Sequence, residues 1–447
     1  MRKGDGAAHG PSGAADGPVG LATPVRFRDP LPEAVDCAVI GGGVAGVFTA
    51  LEAARLGLSV MVLEKGRIAG EQSSRNWGWI RTQGREGAEL PIMLEAIPLW
   101  ERVAQRVDVG FRRAGITYLA SSSRRMAELE RHRETSRVHG IETEALSARA
   151  VAEAFGGTGR WVGAIRTPGD ARAEPWRAVP AVAALAREEG VLVREACAVR
   201  ALDVVGGRVA GVVTEDGRVR AERVILAGGA WSALLARRHG LSLAQLAVRG
   251  TVARTAPMPA VLEGAASDET LALGRREDGA YTLAMRDRNE HVLGPDSFRL
   301  LHRFRSMLSH VGRDTSVRLT GGPAGRPDGW RVPRRWSADA PSPFERVRAL
   351  DPAPSAALVR AMPEAFAERF PALGRPGITL AWAGMIDTTP DELPLLGPAP
   401  GLDGLIVATG LSGHGFGIGP GIGAVAARLA AGRDPGHDLL AFRVDRV

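Results

Sequence analysis

The apolar pattern of residues 36–64, DCAVIGGGVAGVFTALEAARLGLSVMVLE, changes its period twice. Residues 37–40 form a short apolar run suited to a buried parallel strand, and a helical pattern follows the glycines after it. Residues 58–63 form a second apolar run, with Gly57 as a helix stop before it. The segment therefore predicts a strand, a glycine turn, a helix and a second strand in one unit.

The glycines of this turn, Gly41, Gly43 and Gly46, have the GxGxxG spacing of a dinucleotide-binding turn. The first permits the tight turn, the second lets the backbone approach a pyrophosphate, and the third lets the helix lie close to the strand. Free N–H groups at the helix start, at Val44 and Ala45, would face the phosphates. A glycine turn that serves packing alone is the alternative, and the complete unit favours the binding interpretation.

Glu64 stands at the end of the second strand, where its carboxylate can accept hydrogen bonds from ribose hydroxyls and would repel a 2′-phosphate. The dinucleotide site is thus expected to use an unphosphorylated ribose.

After this unit, the pattern predicts a helix over residues 90–109, a strand over 115–120 and a charged, solvated helix over 124–137.

The second half of the chain predicts a β-rich ribbon over residues 204–224 and another strand-to-helix turn at 228–232. Residues 246–374 contain strands and many prolines, which is typical of a mixed α+β domain. A parallel-type strand over 404–410 leads into the glycine-rich loop 410–421 and a helix over 422–431. The nucleotide domain is therefore expected to return at the C-terminus.

Composition limits the choice of function class. The chain has 447 residues, 45% of them hydrophobic and 24% charged, which is typical of a globular protein. Its net charge is +7, but Lys3 and Lys65 are the only lysines, and the densest arginine stretch alternates with glutamates at helical spacing. We therefore expect no nucleic-acid partner.

Cysteine usage and hydropathy indicate the compartment. Cys37 and Cys197 lie far apart in apolar surroundings without metal-ligand spacing, so we expect buried free thiols and no metal. No apolar run approaches the roughly 20 residues that cross a bilayer. Residues 1–33 lack a hydrophobic signal region and predict a disordered tail. These features predict a cytoplasmic protein of unknown oligomeric state.

The opening unit, the LAGGAW turn of residues 226–231 and the closing GLSGHGFGIGPG run of residues 410–421 together resemble the D-amino-acid oxidase-like flavoprotein family. That family includes glycine and sarcosine oxidases and D-amino-acid dehydrogenases, and the resemblance covers about residues 36–435. It implies FAD as the cofactor. It also implies cofactor contacts from Lys65, Gly228, Trp231 and the closing-run residues Gly413, His414, Gly415, Phe416 and Gly417.

The implied fold is α/β, with a Rossmann-like FAD-binding domain that is discontinuous in sequence and a mixed α+β substrate domain. We expect the FAD-binding domain to comprise residues 34–110, 156–245 and 375–440. The substrate domain would comprise residues 111–155 and 246–374.

Residues 70–81, GEQSSRNWGWIR, match the loop that family members wrap around the flavin. The resemblance implies cofactor contacts from polar groups and one indole ring, at Ser73, Ser74, Arg75, Asn76 and Trp77. A surface turn with buried tryptophans is the alternative. Since neither cysteine nor any histidine occupies the usual attachment point, we expect FAD to be bound noncovalently.

The family reaction transfers hydride from a carbon that bears an amine to flavin N5, giving an imine that hydrolyses. The closing loop would place backbone amides near the N1–C2=O region of the flavin, with His414 as a possible catalytic assistant. Tyr281 matches a strand from which relatives point an aromatic ring at the substrate; a core tyrosine is the alternative.

Two positions of the sequence bear on the charge of the substrate. D-Amino-acid dehydrogenases usually carry a carboxylate-binding arginine where this chain has Ile386, so Arg249 or Arg254 replaces it or the substrate is not a simple α-amino acid. Asp387 either faces a cationic substrate group or is a turn residue. The small-molecule substrate is thus expected to be an amino acid or amine.

Lysine usage bears on the electron acceptor. Sarcosine-oxidase-like members use a lysine near the flavin to promote reaction with oxygen, and Lys3 and Lys65 are badly placed for that role. We therefore expect a dehydrogenase rather than an oxidase. Two other functions remain open: an RNA-modifying flavoprotein domain, and a flavin-bearing non-catalytic subunit of a multimeric oxidase.

Overall fold

A computed structural model of the chain describes residues 17–156, 160–286, 288–310 and 315–447. Within this part of the chain the α-helices are α1 Val44–Arg55, α2 Gln72–Arg75, α3 Leu90–Ala104, α4 Ser123–Val138, α5 Ala148–Phe155, α6 Pro175–Glu188, α7 Ser232–Arg238, α8 Pro295–Arg299, α9 Pro343–Arg346, α10 Ala356–Arg369 and α11 Gly415–Ala430. Short 3-10 helices lie at Gly87–Glu89, Gly229–Trp231, Arg305–His310 and Leu440–Phe442.

The strands are numbered in the same way. In chain order they are β1 Ala34–Ile40, β2 Val60–Leu63, β3 Trp79–Ile80, β4 Arg112–Arg113, β5 Ile116–Ala120, β6 Glu144–Ser147, β7 Gly163–Thr167, β8 Ala171–Arg172, β9 Leu192–Arg194, β10 Val199–Val205, β11 Arg208–Thr214, β12 Arg218–Leu226, β13 Leu246–Thr255, β14 Ala265–Ser267, β15 Leu271–Arg275, β16 Tyr281–Met285, β17 Asn289–Val292, β18 Thr315–Arg318, β19 Ile378–Thr388, β20 Leu395–Pro398 and β21 Leu405–Thr409.

The first sheet is the predicted Rossmann-like sheet. Its strands run in the order β10-β11-β12-β1-β2-β9, and β21 pairs with the end of β12. Strand β1 lies parallel to both β2 and β12, so that Ile40 pairs with Leu63 on one side and Leu226 on the other. Helices α1, α3, α6 and α11 pack together over this sheet. The unbroken apolar runs of β1 and β2 therefore reflect burial on both faces.

The second sheet contains most strands of the predicted substrate domain, and we call it the substrate sheet. Its strands run in the order β18-β17-β13-β16-β15-β14-β5-β7-β6, and β19 pairs with β13 over ten positions that include Val248 with Ile386. Helix α10 packs on one face, where Phe366 contacts the ring of Tyr281. A small third sheet, β3-β8-β4, includes Trp79 and Ile80 from the end of the predicted flavin loop.

The predicted domain boundaries need two corrections. Strand β7 and strand β19 belong to the substrate sheet, although residues 156–245 and 375–440 were expected in the FAD-binding domain. Both strands pair with strands of the substrate sheet along their whole length, and sequence periodicity carries no information about which sheet a strand joins. The chain therefore crosses between the domains more often than its sequence indicates.

The prediction of a disordered tail over residues 1–33 is wrong for residues 17–33; residues 1–16 lie outside the described part. Val19 and Phe27 are buried in the core beneath α1, α3 and α6. The backbone N–H groups of Arg26 and Phe27 donate to Glu195, and Arg75 donates to the carbonyl of Val19. A few apolar anchors thus fix a segment whose composition is otherwise typical of disorder.

The closing glycine run also departs from the prediction. Helix α11 begins at Gly415, seven residues before the expected start at Ile422, so only the first part of the run is a loop. A Cβ at Gly419 would lie 2.7 Å from Val44, and one at Gly423 would lie 2.7 Å from the backbone of Thr49. These glycines let α11 approach α1 closely, so part of the run that resembles a loop serves helix packing.

Candidate cofactor site

A cleft of about 1180 Å³ lies between the carboxyl ends of β1, β2 and β12 and the start of α11. Its lining brings together segments that are distant in sequence, from the opening turn to the closing glycine run. Fourteen of the residues singled out from the sequence line it: Gly41, Gly43, Val44, Ala45, Glu64, Lys65, Ser73, Asn76, Gly228, Trp231, Asp387, Gly413, Gly415 and Phe416.

The opening turn has the geometry that its glycines predict. Gly41 adopts φ +110°, and a Cβ there would lie 2.4 Å from the carbonyl oxygen of Ala227, which directly follows β12. A Cβ at Gly46 would lie 2.0 Å from the carbonyl oxygen of Gly41. Gly46 therefore does not line the cleft but lets α1 pack against the turn, which leaves the N–H groups of its first residues directed at the cleft.

Glu64 accepts hydrogen bonds from backbone N–H groups in the opening turn and just after β2. Its Oε2 accepts a hydrogen bond from the N–H of Gly42 at 2.8 Å, and its Oε1 accepts one from Gly66 at 2.7 Å. Burial raises the pKa of Glu64, although Lys65 and these two amides oppose the shift. A buried carboxylate that lines the cleft in this way is placed to accept further hydrogen bonds from ribose hydroxyls.

The loop of residues 70–81 contributes fewer cleft contacts than predicted. Ser73 accepts a hydrogen bond from the N–H of Val44 at 2.9 Å, and Asn76 lines the cleft. Ser74 instead accepts a hydrogen bond from Val19 N–H, and Arg75 donates to Asp351 at 2.6 Å. Ser74 and Arg75 therefore do not line the cleft, because both side chains are buried in contacts that hold the loop, and their predicted cofactor contacts stay predictions.

Two further predicted contacts lie outside the cleft. Trp77 packs edge-on against Trp79, with ring centroids 5.0 Å apart, in a neighbouring cleft. Gly417 lies against the backbone of β3, where a Cβ would be 3.2 Å from the carbonyl oxygen of Trp79, and its own carbonyl accepts a hydrogen bond from Trp100. Neither residue lines the cofactor cleft, and both pack in the structure that surrounds it.

Glu71 is a cleft residue that the sequence analysis missed. Its Oε1 accepts hydrogen bonds from Lys65 Nζ at 2.6 Å and from Trp231 Nε1 at 2.9 Å. The ammonium of Lys65 also lies 4.3 Å from the ring centroid of Trp231. Its position within the predicted flavin loop was the one signal in the sequence, since the contact with Trp231 is formed only by the fold.

Asp387 anchors the closing loop. Its Oδ2 accepts hydrogen bonds from the N–H of Gly410 at 2.8 Å and of Leu411 at 3.3 Å, and from the side chains of Gln245 and Thr409. Burial raises the pKa of its carboxyl, which those hydrogen bonds oppose. These contacts favour the turn interpretation of Asp387, although its side chain also lines the cleft, and its catalytic role stays a prediction.

His414 precedes the first residue of α11 and has a buried partner. Its Nδ1 lies 3.2 Å from Oε1 of Glu89, a residue with no exposed surface. Burial and the nearby Arg85 lower the pKa of His414 to about 4, so the ring is neutral near pH 7. A neutral ring beside a carboxylate donates from Nδ1 and keeps Nε2 as an acceptor. The imidazole itself lies behind the cleft lining.

Tyr281 lies in the core, so its predicted role at the substrate is wrong. Its ring is fully buried beneath α10, and its hydroxyl accepts a hydrogen bond from Val261 N–H at 2.9 Å. The candidate carboxylate-binding arginines are also occupied. Arg249 forms an ion pair with Glu290, and Arg254 forms one with Asp278.

Comparison with known proteins identifies the family. The family model described as FAD dependent oxidoreductase matches residues 36–429. The chain belongs to this family. It is 27% identical to 4-methylaminobutanoate oxidase (formaldehyde-forming) of Paenarthrobacter nicotinovorans over 94% of the chain and 46% of that protein. It is 26% identical to sarcosine oxidase subunit beta of an Arthrobacter species, over 94% of the chain and 93% of the subunit.

The fold comparison agrees. The structure of L-amino acid deaminase from Proteus myxofaciens superposes with a TM-score of 0.88 at 26% identity, covering 94% of this chain and 96% of that one. The chain spans about half the length of the first curated relatives it matches, including the methylaminobutanoate oxidase. The predicted resemblance and fold class are thereby confirmed.

The cleft fits the FAD that the family binds. The crowded glycine turn and the start of α1 suit a pyrophosphate, with the N–H of Val44 donating to Ser73 at the edge of the cleft, and Glu64 suits a ribose. At the other end the first turn of α11, at Gly415 and Phe416, borders the same cleft. The starts of α1 and α11 therefore border one cleft, which suits a cofactor that carries both a pyrophosphate and an electron-accepting ring.

Among the described residues, no group of three or more histidine, cysteine, aspartate or glutamate side chains could hold a metal ion. Cys37 and Cys197 are free and buried, as expected. In the described ranges, no helix combines the length and the apolar character that crossing a bilayer requires.

Proposed function

We propose that the protein is an FAD-dependent oxidoreductase that oxidises the CH–N bond of an amino acid or amine. The observation that carries this proposal is the meeting of the opening glycine turn and the start of α11 in one cleft. Bound FAD would supply the hydride acceptor, and the chain would supply binding, orientation and electrostatics. The relatives named as amine and amino acid oxidases, dehydrogenases and deaminases support the choice of the CH–N bond.

The start of α11 would stabilise negative charge in the cleft. Gly415 and Phe416 belong to the first turn of a 16-residue helix, whose N–H groups have no intrahelical acceptor. Asp387 holds the preceding loop through the amides of Gly410 and Leu411, so these donors are oriented before any charge develops. Such preorganisation is the main way in which a protein stabilises a developing anion.

His414 is proposed as an assistant to the chemistry. Its backbone forms the N-cap of α11, and Glu89 fixes the neutral ring with its Nε2 as an acceptor. The ring is not part of the cleft lining. It would therefore have to move slightly before it could hold a proton for a group bound next to the loop. The backbone of this segment therefore contributes more than the imidazole.

The substrate's own carboxylate, where it has one, is proposed to bind away from Ile386. A Cβ at Gly413 would lie 3.7 Å from Ile386, so this side of the loop is apolar. Arg249 and Arg254 are already paired with carboxylates, so neither replaces the missing arginine without breaking an ion pair. This favours an amine, or an amino acid whose carboxylate is distant from the oxidised carbon.

We further propose that FAD is held noncovalently. The described residues of the cleft lining include no histidine and no cysteine, and Asn76 borders the cleft at the flavin loop. Lys65 is engaged with Glu71 and the ring of Trp231, which supports a preference for an acceptor other than oxygen. The two free buried cysteines support a reducing compartment such as the cytoplasm.

An anaerobic absorbance screen tests the function. The FAD-loaded protein is mixed with D- and L-amino acids, N-methyl amino acids and polyamines, and bleaching of the flavin is recorded. We expect at least one of these compounds to bleach the flavin, while the corresponding hydroxy acids do not. Dithionite serves as the control for a reducible cofactor. If dithionite bleaches the flavin and none of the amines does, the oxidoreductase assignment is wrong and the non-catalytic subunit is supported.

A further inference from the structure

A second cleft of about 1050 Å³ opens where the small sheet β3-β8-β4 meets β15, outside the cofactor site. We call it the arginine cleft and define it by its charged lining residues: Arg112, Arg113, Arg166, Arg172, Arg275, Arg276, Glu263 and Glu277. Six guanidinium groups and two carboxylates thus face one cleft. The excess of positive charge indicates an anionic ligand.

The floor of the arginine cleft has too few acceptors for its donors. Arg172 and Arg276 are 7% and 9% exposed, and both pair with the carboxylate of Glu174, at 2.9 and 2.7 Å. A second carboxylate, that of Asp278, lies 4.0 Å from the Nε of Arg276, beyond hydrogen-bond distance. The Nε atoms of both arginines have no hydrogen-bond partner, and neither has the nearby Nε1 of Trp79. Buried donors are almost always paired in native proteins, so these unpaired groups point to a missing acceptor.

The rim of the arginine cleft is loosely paired. Arg112 lies 3.7 Å from Glu277, and Arg166 lies 3.7 Å from Glu144, with 61% and 45% of the arginine side chains exposed. Both separations exceed the usual hydrogen-bond distance, and ion pairs of this exposure contribute little to stability. These guanidinium groups can therefore turn towards a ligand at little cost.

We propose that the arginine cleft binds a small molecule that carries at least two negative charges, on carboxylate or phosphate groups. Guanidinium groups bind both kinds of oxyanion through paired N–H donors, and the floor donors supply the depth that a surface patch lacks. A continuation of the cleft is lined by Trp77, which follows Asn76 of the cofactor site in the chain. The ligand would therefore lie next to the flavin loop. The proposal does not depend on the proposed oxidation.

Calorimetric titration of the full-length, FAD-loaded protein tests this inference. The probes are citrate and inorganic pyrophosphate at constant ionic strength, with chloride as the reference anion. We expect at least one probe to bind with a dissociation constant below about 1 mM. Citrate alone would identify a carboxylate ligand, pyrophosphate alone a phosphate ligand, and both together a site for either oxyanion. If neither probe binds, the inference is wrong.

Variants locate the binding. Arg112→Gln combined with Arg166→Gln removes two rim charges and leaves the buried floor intact, and we expect at least a tenfold loss of probe affinity. Arg172→Met tests the floor, with flavin absorbance and the melting temperature as checks on folding. Arg149→Gln is the control, since Arg149 is exposed on α5 and pairs with Glu153. Equal losses in the control and the rim variant would show non-specific charge binding and overturn the proposal.

Discussion

The two glycine-rich segments of the cofactor site differ in what their glycines do. In the opening turn, Gly46 packs against the backbone of Gly41 within the turn itself, and Gly41, at φ +110°, packs against the backbone of Ala227, which directly follows β12. In the closing run, Gly419 and Gly423 lie inside α11 and pack against the neighbouring helix α1. The two segments have a similar frequency of glycine. The opening segment is a turn motif, however, whereas the closing segment is part of a contact between two helices.

The difference explains why one segment was predicted correctly and the other was not. A turn motif is specified by residues that are close in sequence, whereas the crowding at Gly423 comes from Phe48 and Thr49, more than 370 residues earlier in the chain. Helix propensity disfavours glycine, so the run predicts a loop unless the tertiary contact is known. Tertiary packing outweighs local preference here.

The largest expected effect follows from Gly46→Ala. The new Cβ would lie 2.0 Å from the carbonyl oxygen of Gly41, which is backbone and cannot move without opening the turn. We expect a protein purified without bound FAD and a free energy of unfolding lower by about 3 kcal/mol. Flavin content and urea denaturation measure both. Gly377→Ala is the matched control, since nothing lies within 4 Å of its Cβ, and it should change neither quantity.

A smaller effect is expected for Gly423→Ala, which tests the closing run as a packing surface. The added Cβ would lie 2.7 Å from Thr49 N and 2.8 Å from the backbone of Phe48, so α11 must shift away from α1. We expect the free energy of unfolding to fall by about 1–3 kcal/mol, with FAD still bound. If Gly423→Ala proves neutral in urea denaturation, the close approach of the two helices is not what requires glycine.

One carboxylate accepts hydrogen bonds from the backbone of each segment: Glu64 at the opening turn and Asp387 at the closing run. Substituting each of them in turn compares the two segments. Asp387 accepts four hydrogen bonds through one oxygen, whereas Glu64 accepts two backbone hydrogen bonds. Asp387→Asn should lower the free energy of unfolding of the FAD-free protein by about 1–3 kcal/mol, since a buried acceptor set is disrupted. Glu64→Gln should affect that stability less.

For FAD affinity we expect the opposite order: Glu64→Gln should weaken binding more than Asp387→Asn does. Glu64 borders the cleft beside the opening turn, where loss of a ribose hydrogen bond is expected to weaken FAD binding about tenfold, or about 1.4 kcal/mol. Fluorescence titration of the FAD-free variants measures this. Equal losses of affinity and stability in both variants would mean that the two carboxylates have the same role, and the comparison between the segments would fail.

How much the sequence predicts depends on how local each feature is. The strand–turn–helix–strand unit, Glu64 and the turn at Gly228 are contiguous motifs, and the structure agrees with each of them. The burial of Tyr281 and Arg75 outside the cleft lining was not predicted, because a strand or loop position does not reveal which face a side chain takes. Glu71 was missed because its partners, Lys65 and Trp231, are brought together only by the fold.

An effect confined to a pH window is expected from Asp170, a carboxylate outside the cofactor cleft that binds backbone in the same way as Glu64 and Asp387. It accepts hydrogen bonds from Thr82 N–H at 2.7 Å and from Gln83 N–H at 3.2 Å, in the segment that leads into α3. Burial raises its pKa to about 6, which the hydrogen bonds from Thr82 and Gln83 oppose. An aspartate in the unfolded chain titrates near pKa 3.9.

The native protein therefore binds an extra proton between about pH 4 and pH 6, and its stability falls as the pH rises through that window and levels off above it. Asp170→Asn should remove this fall, so the stability difference between wild type and variant should change by about 1–3 kcal/mol across the window. Urea denaturation at several pH values measures it. Asp36→Asn is the control: hydrogen bonds from Ser59 lower the pKa of Asp36, so its own contribution changes below this window. A wild-type profile that Asp170→Asn leaves unaltered would show that Asp170 stays ionised throughout, and that carboxylates binding backbone outside the cleft carry no burial penalty.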